Sequence, residues 1–231
     1  MSRLDPRLLL QGYATGIFPM ADSRDAAELF WVEPRNRAIL PLDRFHLSRS
    51  LRRTLRSGRF EVTHDREFPS VVTACADREE TWINAELERA MLALHQSGHA
   101  HSIEVRLGGE LVGGLYGVKL GGAFFGESMF SRKSDASKVA LAWLVARLRA
   151  GGFLLLDCQF ITDHLASMGA IEIDRDRYVA LLDVALGVSA GADSFSPDFG
   201  ALDRLGPGAD ADTVSGPVSG HCIVQLLGQT S

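Results

Sequence analysis

A carboxylate beside an apolar strand is a place to look for chemistry, because burying a charge is costly unless a partner or a ligand offsets it. Two segments qualify. Gly126-Glu127-Ser128-Met129-Phe130-Ser131 sets a carboxylate directly after the apolar run 123–125, with hydroxyls on both sides of Met129. Phe153-Leu154-Leu155-Leu156 leads into Asp157-Cys158-Gln159, so two polar side chains two residues apart are expected on one face at the end of a buried strand. Sites in α/β sheets often lie at strand C-termini. Each segment also has a plainer reading: a strand-end Glu bonded to neighbouring backbone, or an Asp that only caps a helix or turn.

Other constellations are weaker or different in kind. His99 and His101 stand two apart on an expected strand with Glu104 nearby, the start of a metal set with no third clear ligand. The expectation is no metal, and a pair of hydrogen-bonded histidines holding a hairpin. Arg49, Arg52, Arg53, Arg56 and Arg59 fall on and just after one expected helix whose apolar stripe is Leu51 and Leu55. Such a row is usually a solvated face. In a chain of formal charge -5, five arginines within eleven residues point instead to phosphates.

The elements that must position these residues follow from periodicity and punctuation. Asp5-Pro6 starts a helix that Gly16 stops, residues 30–42 are extended and broken by Pro34 and Pro41, and Ser48 opens a helix that Gly58 ends. Strands are expected at 60–63, 102–106, 110–116 and 119–125, with Gly108-Gly109 as a hairpin turn, and helices near 68–76, 85–96 and 135–150. Together they give a mixed sheet with helices packed on it. Residues 177–186 are expected to form the last well-formed helix. The stretch 189–220 is rich in Gly, Ser, Asp and Pro and is expected to be mobile, while the apolar 221–227 could dock on the body.

With 231 residues, 46% of them hydrophobic, the chain can bury the core of one large domain or of a small domain joined to a larger one. No basic, apolar leader opens it and no apolar run approaches a membrane span, so a cytoplasmic protein is expected. Cys75, Cys158 and Cys222 are odd in number and far apart, which fits three free thiols.

Taken in order, the chain reads Gly12-Tyr13, Gly16-Ile17-Phe18-Pro19, Thr81-Trp82-Ile83, Gly98-His99-Ala100-His101-Ser102-Ile103-Glu104-Val105, Leu111-Val112-Gly113-Gly114-Leu115-Tyr116-Gly117, Gly126 to Ser131, Ala136-Ser137-Lys138, Asp157-Cys158-Gln159, His164-Leu165 and Gly169-Ala170. This ordered set resembles the leucyl/phenylalanyl-tRNA–protein transferases over residues 4 to 186. The chain begins later than many members of that family, and Met20 follows Pro19 where an aromatic residue is frequent, a place where methionine can adapt its shape as a ring cannot.

The resemblance implies an α+β fold, a small N-terminal α/β domain followed by an acetyltransferase-like (GNAT-like) catalytic domain; with the elements above, the expected bounds are 1–60 and 61–188, and composition adds a flexible tail at 189–231. It implies transfer of leucine, phenylalanine and, by the adaptability of an apolar pocket, methionine from charged tRNA to the N-terminal Arg or Lys of acceptor proteins, marking them for degradation. No cofactor is expected, since the aminoacyl ester is already activated, and neither DNA nor a membrane; a monomer is expected. The resemblance assigns the catalytic machinery to Asp157 and Gln159, with Glu127 lining the same site. A glutamine amide is a very poor base, so Gln159 is read as an orienting partner that Asp157 fixes. Met20, Trp82, Leu115, Phe124 and Met129 are implied for the donor side chain, and the five arginines for the acceptor stem. The competing readings are a CoA-dependent N-acetyltransferase and a non-catalytic tRNA-binding module. Against the former, a CoA pyrophosphate would need a glycine-rich turn opening a helix, whereas Gly113-Gly114 and Gly121-Gly122 both lie in strand patterns.

Overall fold

The computed structural model describes residues 4–187, 197–205 and 218–228. Helix α1 (Pro6–Ala14) starts where Asp5 accepts the Arg7 N–H and Pro6 occupies a position that needs no donor. Strands β1 (Phe18–Met20) and β2 (Phe30–Val32) pair antiparallel as a small sheet, and β3 (Asn36–Ile39) follows. Helix α2 (Arg49–Arg56) begins at Ser48, whose hydroxyl accepts the Leu51 N–H, and ends before Gly58 at φ 64°. Next come β4 (Glu61–His64), α3 (Phe68–Ala76) and α4 (Ala85–Gln96), then the meander β5 (Ala100–Leu107), β6 (Glu110–Leu120) and β7 (Ala123–Ser131). Helix α5 (Ala136–Ala150) crosses over to β8 (Leu155–Gln159), and α6 (Asp163–Ala166), β9 (Ile171–Asp174), α7 (Arg175–Ala185) and α8 (Gly220–Gly228) complete the order.

The fold is α+β. The large sheet has seven strands in the order β4-β5-β6-β7-β8-β3-β9. Only β7 and β8 run parallel, as the helical crossover through α5 requires. Strand β3, from the first forty residues, lies in this sheet between β8 and β9. Alternation along the strands feeds two cores. Leu115, Phe124 and Leu156 pack with α5, whereas Tyr116, Phe125 and Leu155 pack with residues of α1, α3, α4 and α7. With layers on both faces, α5 is buried nearly all round. No helix among the described residues is long and apolar enough to cross a membrane.

Three expectations are corrected. Gly121-Gly122 is the two-residue turn between β6 and β7, made possible by Gly121 at φ 53°, and does not lie within a strand. Strand β7 continues past Phe125 to Ser131, so Glu127 lies inside it. Residues 177–186 are not the last helix, for α8 follows and buries Ile223, Val224 and Leu227 against α2 and α5. Its short apolar period is hidden in the sequence by Gly and Ser on its N-terminal side. Residues 197–205 are also packed: Phe199 stacks on His101 at 4.2 Å, and Asp203 pairs with the buried Arg147 at 2.7 Å. The rest of the expected mobile tail, 189–196, 206–217 and 229–231, lies outside the described residues.

Candidate active site

The site begins as two irregularities in the sheet. Strands β6 and β7 pair from Leu120↔Ala123 to Gly117↔Gly126, and then Tyr116 lies opposite Ser128, leaving Glu127 as an extra residue in a bulge. Bulges re-aim a side chain, which is how a carboxylate in mid-strand comes to be presented. Gly117 permits the close approach, since a Cβ there would lie 2.3 Å from the Phe125 carbonyl oxygen. The second irregularity is in β8, where Ile39 lies opposite Asp157 and Ala38 opposite Gln159, skipping Cys158. Gln159 takes φ 63°, so Asp157 and Gln159 are not the simple same-face pair expected from a two-residue period. The parallel pairing of β7 with β8 ends at Phe125↔Asp157, and beyond that point a cleft of about 250 Å³ opens.

Asp157 is fully buried and fully engaged. The Arg37 guanidinium grips it from Nε at 2.9 and 3.1 Å and from Nη2 at 2.6 Å, and the Tyr178 hydroxyl donates to Oδ2 at 2.7 Å. The Gln159 backbone N–H donates to Oδ1 at 2.8 Å. Arg37, itself 1% exposed, lies over the rings of Phe18 and Tyr178 at 4.5 and 4.7 Å and donates Nη1–H to the Gly16 carbonyl at 3.2 Å. With its lone pairs so occupied, Asp157 is a holding group and does not reach the cleft wall.

Glu127 differs in each respect. It lines the cleft, and its Oε1 accepts from the Tyr13 hydroxyl at 2.8 Å and from Gln159 Nε2 at 2.9 Å. Its Oε2 is buried with no hydrogen-bond partner among the described residues. Burial pushes this carboxyl up to about 7. The Tyr13 hydrogen bond opposes that rise, Asp157 adds to it, and Arg37 and Gln159 moderate it. A carboxyl balanced near neutrality with one oxygen free can take a proton and return it.

Of the residues expected to hold the donor side chain, Trp82, Leu115 and Met129 line the cleft, joined on its apolar wall by Leu141, Leu144, Leu156 and Leu165. Phe124 does not, being fully buried and stacked on Phe199 at 5.7 Å. Met20 belongs to the small sheet and is tied to the cleft only indirectly, through the Ala21 N–H that donates to the Trp82 carbonyl at 3.2 Å. The functional supports Arg37, Tyr178 and Arg78 are not singled out from the sequence, and Tyr13 enters only as part of the ordered motif set. Arg78 lines the cleft and donates to the Ser128 hydroxyl at 2.7 Å. The available signal for Arg37 was a cation directly before the apolar run Ala38-Ile39-Leu40.

Arg49, Arg53, Arg56 and Arg59 are exposed and Arg52 half-buried, while Leu51 and Leu55 anchor their helix to the core. Arg59 is engaged, lying 3.9 Å from Asp135 and donating to the Ser134 carbonyl at 3.0 Å. His101 and Glu104 find separate partners, His101 binding Asp65 at 2.7 Å and Glu104 accepting from Thr63 and Ser102, each at 2.6 Å. His99 Nδ1 is buried with no hydrogen-bond partner among the described residues, so the two histidines are not the hydrogen-bonded pair expected. Among the described residues no three His, Cys, Asp or Glu side chains converge to hold a metal ion.

Comparison with known proteins adds the family. The model described as leucyl/phenylalanyl-tRNA protein transferase matches residues 39–183, and that of its N-terminal domain matches residues 2–35. The chain is similar to a leucyl/phenylalanyl-tRNA–protein transferase of Rhizorhabdus wittichii, with 64% identity over 100% of both chains. A relative of the same description from Zymomonas mobilis is 61% identical over 88% of this chain and 77% of its own. Among solved structures, that of L-PGS from Bacillus licheniformis is 15% identical with a TM-score of 0.39, covering 65% of this chain and 51% of that one. That last likeness carries no functional argument.

Proposed function

Since the chain belongs to the leucyl/phenylalanyl-tRNA–protein transferase family and is an aminoacyltransferase acting between tRNA and protein, we propose that its donors are leucine, phenylalanine and methionine and its acceptors proteins beginning with Arg or Lys. In this reading it acts in the cytoplasm as a monomer, needs no cofactor, and marks its acceptors for degradation.

The observation that supports this reading is the buried, unpartnered Oε2 of Glu127, a residue that lines a cleft with an apolar wall of leucines. An aminoacyl ester needs only a neutral amine, good positioning and a path for one proton. The acceptor's α-amine, with a reference pKa of about 8, is roughly a tenth neutral at pH 7. It attacks the ester carbonyl, and its proton passes to Glu127 Oε2. The bond to the ribose oxygen then breaks, and Glu127 returns the proton to that oxygen. One peptide bond forms, one ester bond breaks and no proton is left over.

Gln159 and Tyr13 hold Glu127 by its other oxygen, and Asp157 with Arg37 holds Gln159. Asp157 is thus a positioning residue in this scheme. The leucine side chain, or that of phenylalanine or methionine, lies against Leu115, Met129 and the leucines of α5 and β8. Incubation with tRNA charged with radiolabelled leucine and a peptide beginning with Arg tests the proposal. Label in the peptide is expected; charged tRNA bound without transfer of label, or a peptide modified only when acetyl-CoA is supplied instead, would refute it.

A further inference from the structure

A second cleft, of about 420 Å³, adjoins the first and shares Met129 and His164 with it. A ligand seated in one can therefore extend into the other. Lys138 lines this second cleft and has no ion-pair partner among the described residues. His164 faces it, with its Nε2 3.3 Å from the Ser137 hydroxyl. Burial and the nearby Lys138 both lower the His164 pKa, so at neutral pH the imidazole is an uncharged hydrogen-bonding group and Lys138 supplies the charge. The lining carboxylate, Asp135, is already spent, accepting from the Thr54 hydroxyl at 3.1 Å and lying 3.9 Å from Arg59.

Those two Asp135 contacts also bring the arginine helix to the edge of this cleft. A track of positive charge therefore runs from α2, past Lys138, to the apolar cleft holding Glu127. We propose that the second cleft receives a backbone phosphate of the RNA strand leading to the aminoacylated 3′ end, with Lys138 as its cation and His164 and Ser134 as flanking hydrogen-bonding groups. A lone lysine acts on a phosphate as a point charge, which suits a single-stranded backbone that carries no sequence to be read. The proposal rests on the transferase reading above and deepens it, by naming where the strand enters the site.

The test compares two donors on the full chain: leucyl-adenosine, which has no phosphate, and a leucyl-CCA trinucleotide, which has internucleotide phosphates. In the wild-type protein kcat/KM should be higher for the trinucleotide. Lys138→Gln should cut that preference about tenfold and lower the salt slope of charged-tRNA binding by about 0.7, and Lys138→Arg should restore both. A preference unchanged by Lys138→Gln would overturn the phosphate site while leaving the transferase reading intact. No transfer from either donor by the wild-type protein would overturn that reading, and the proposal with it.

Discussion

The backbone N–H of Gln159 donates to the Asp157 carboxylate at 2.8 Å, so the residue that reaches the cleft is held in its left-handed conformation by one that does not. Beyond that bond, the Gln159 amide meets Glu127 and the Asp157 carboxylate meets Arg37. Division of labour between three polar residues follows from this chain of contacts: a holder, an orienter and a carboxyl free to exchange a proton.

Asp157→Asn should therefore be a stability variant as well as an activity variant. It leaves the Arg37 guanidinium, 1% exposed, without an anion, and breaking such a buried pair costs about 3–5 kcal/mol. Urea unfolding should show a midpoint well below that of the wild type. An unchanged midpoint would mean that Arg37 finds another partner.

Glu127→Gln should have the opposite effect on stability above neutral pH. The Glu127 carboxyl titrates near its ordinary 4.5 when unfolded and about 7 when folded. The folded state thus holds the proton more tightly, and the wild type loses stability as pH rises between those values, by about 3 kcal/mol in all. Glutamine keeps an acceptor for Tyr13 and Gln159 but has no proton to lose. Thermal unfolding from about pH 5 to about pH 8 should show the variant gaining on the wild type up to about pH 7 and the difference levelling off above it; parallel curves throughout would deny the shifted carboxyl.

Much of this was legible in the sequence and some was not, for identifiable reasons. The caps at Asp5 and Ser48 and the turn at Gly108-Gly109 are local, so their residues announce them. Glu127, Asp157 and Gln159 could be singled out as polar groups against apolar strands. The bulge that re-aims Glu127 could not, because it depends on how β6 and β7 register. Nor could the Arg37–Asp157 pair or the Tyr13–Glu127 bond, whose partners are 120 and 114 residues apart. Phe124 illustrates the limit of proximity in sequence: three residues before Glu127, it lies fully buried in the same core as Leu115 and Leu156 and meets Phe199 instead of the cleft.

Replacing Arg52, Arg53 and Arg56 together with Gln should weaken binding of charged tRNA and lower its salt slope by about 2 to 3 units, since each phosphate contact accounts for about 0.7 to 0.9. An unchanged slope in a titration from low to moderate salt would leave α2 as a solvated face.

Leu115→Trp should fill part of the 250 Å³ cleft and harm transfer of phenylalanine more than transfer of leucine. Methionine should serve as a donor in the wild type, because one methylene separates apolar side chains by only about 1–3 kcal/mol. Isoleucine and valine should be poor donors, with their bulk next to the ester. A competition between mixed charged tRNAs decides this, and lysine or aspartate transferred as well as leucine would refute an apolar pocket.

The most direct test is the pH dependence of single-turnover transfer for the wild type and Glu127→Gln, with saturating leucyl-tRNA and an Arg-initiated peptide. A carboxyl raised to about 7 should give the wild-type rate an ascending limb centred there. The variant should lose about 10²- to 10⁴-fold in rate, bind charged tRNA as before, and retain only the limb due to the acceptor amine. A Glu127→Gln protein that transfers leucine at the wild-type rate with the same profile would contradict the assignment of Glu127 as the proton acceptor.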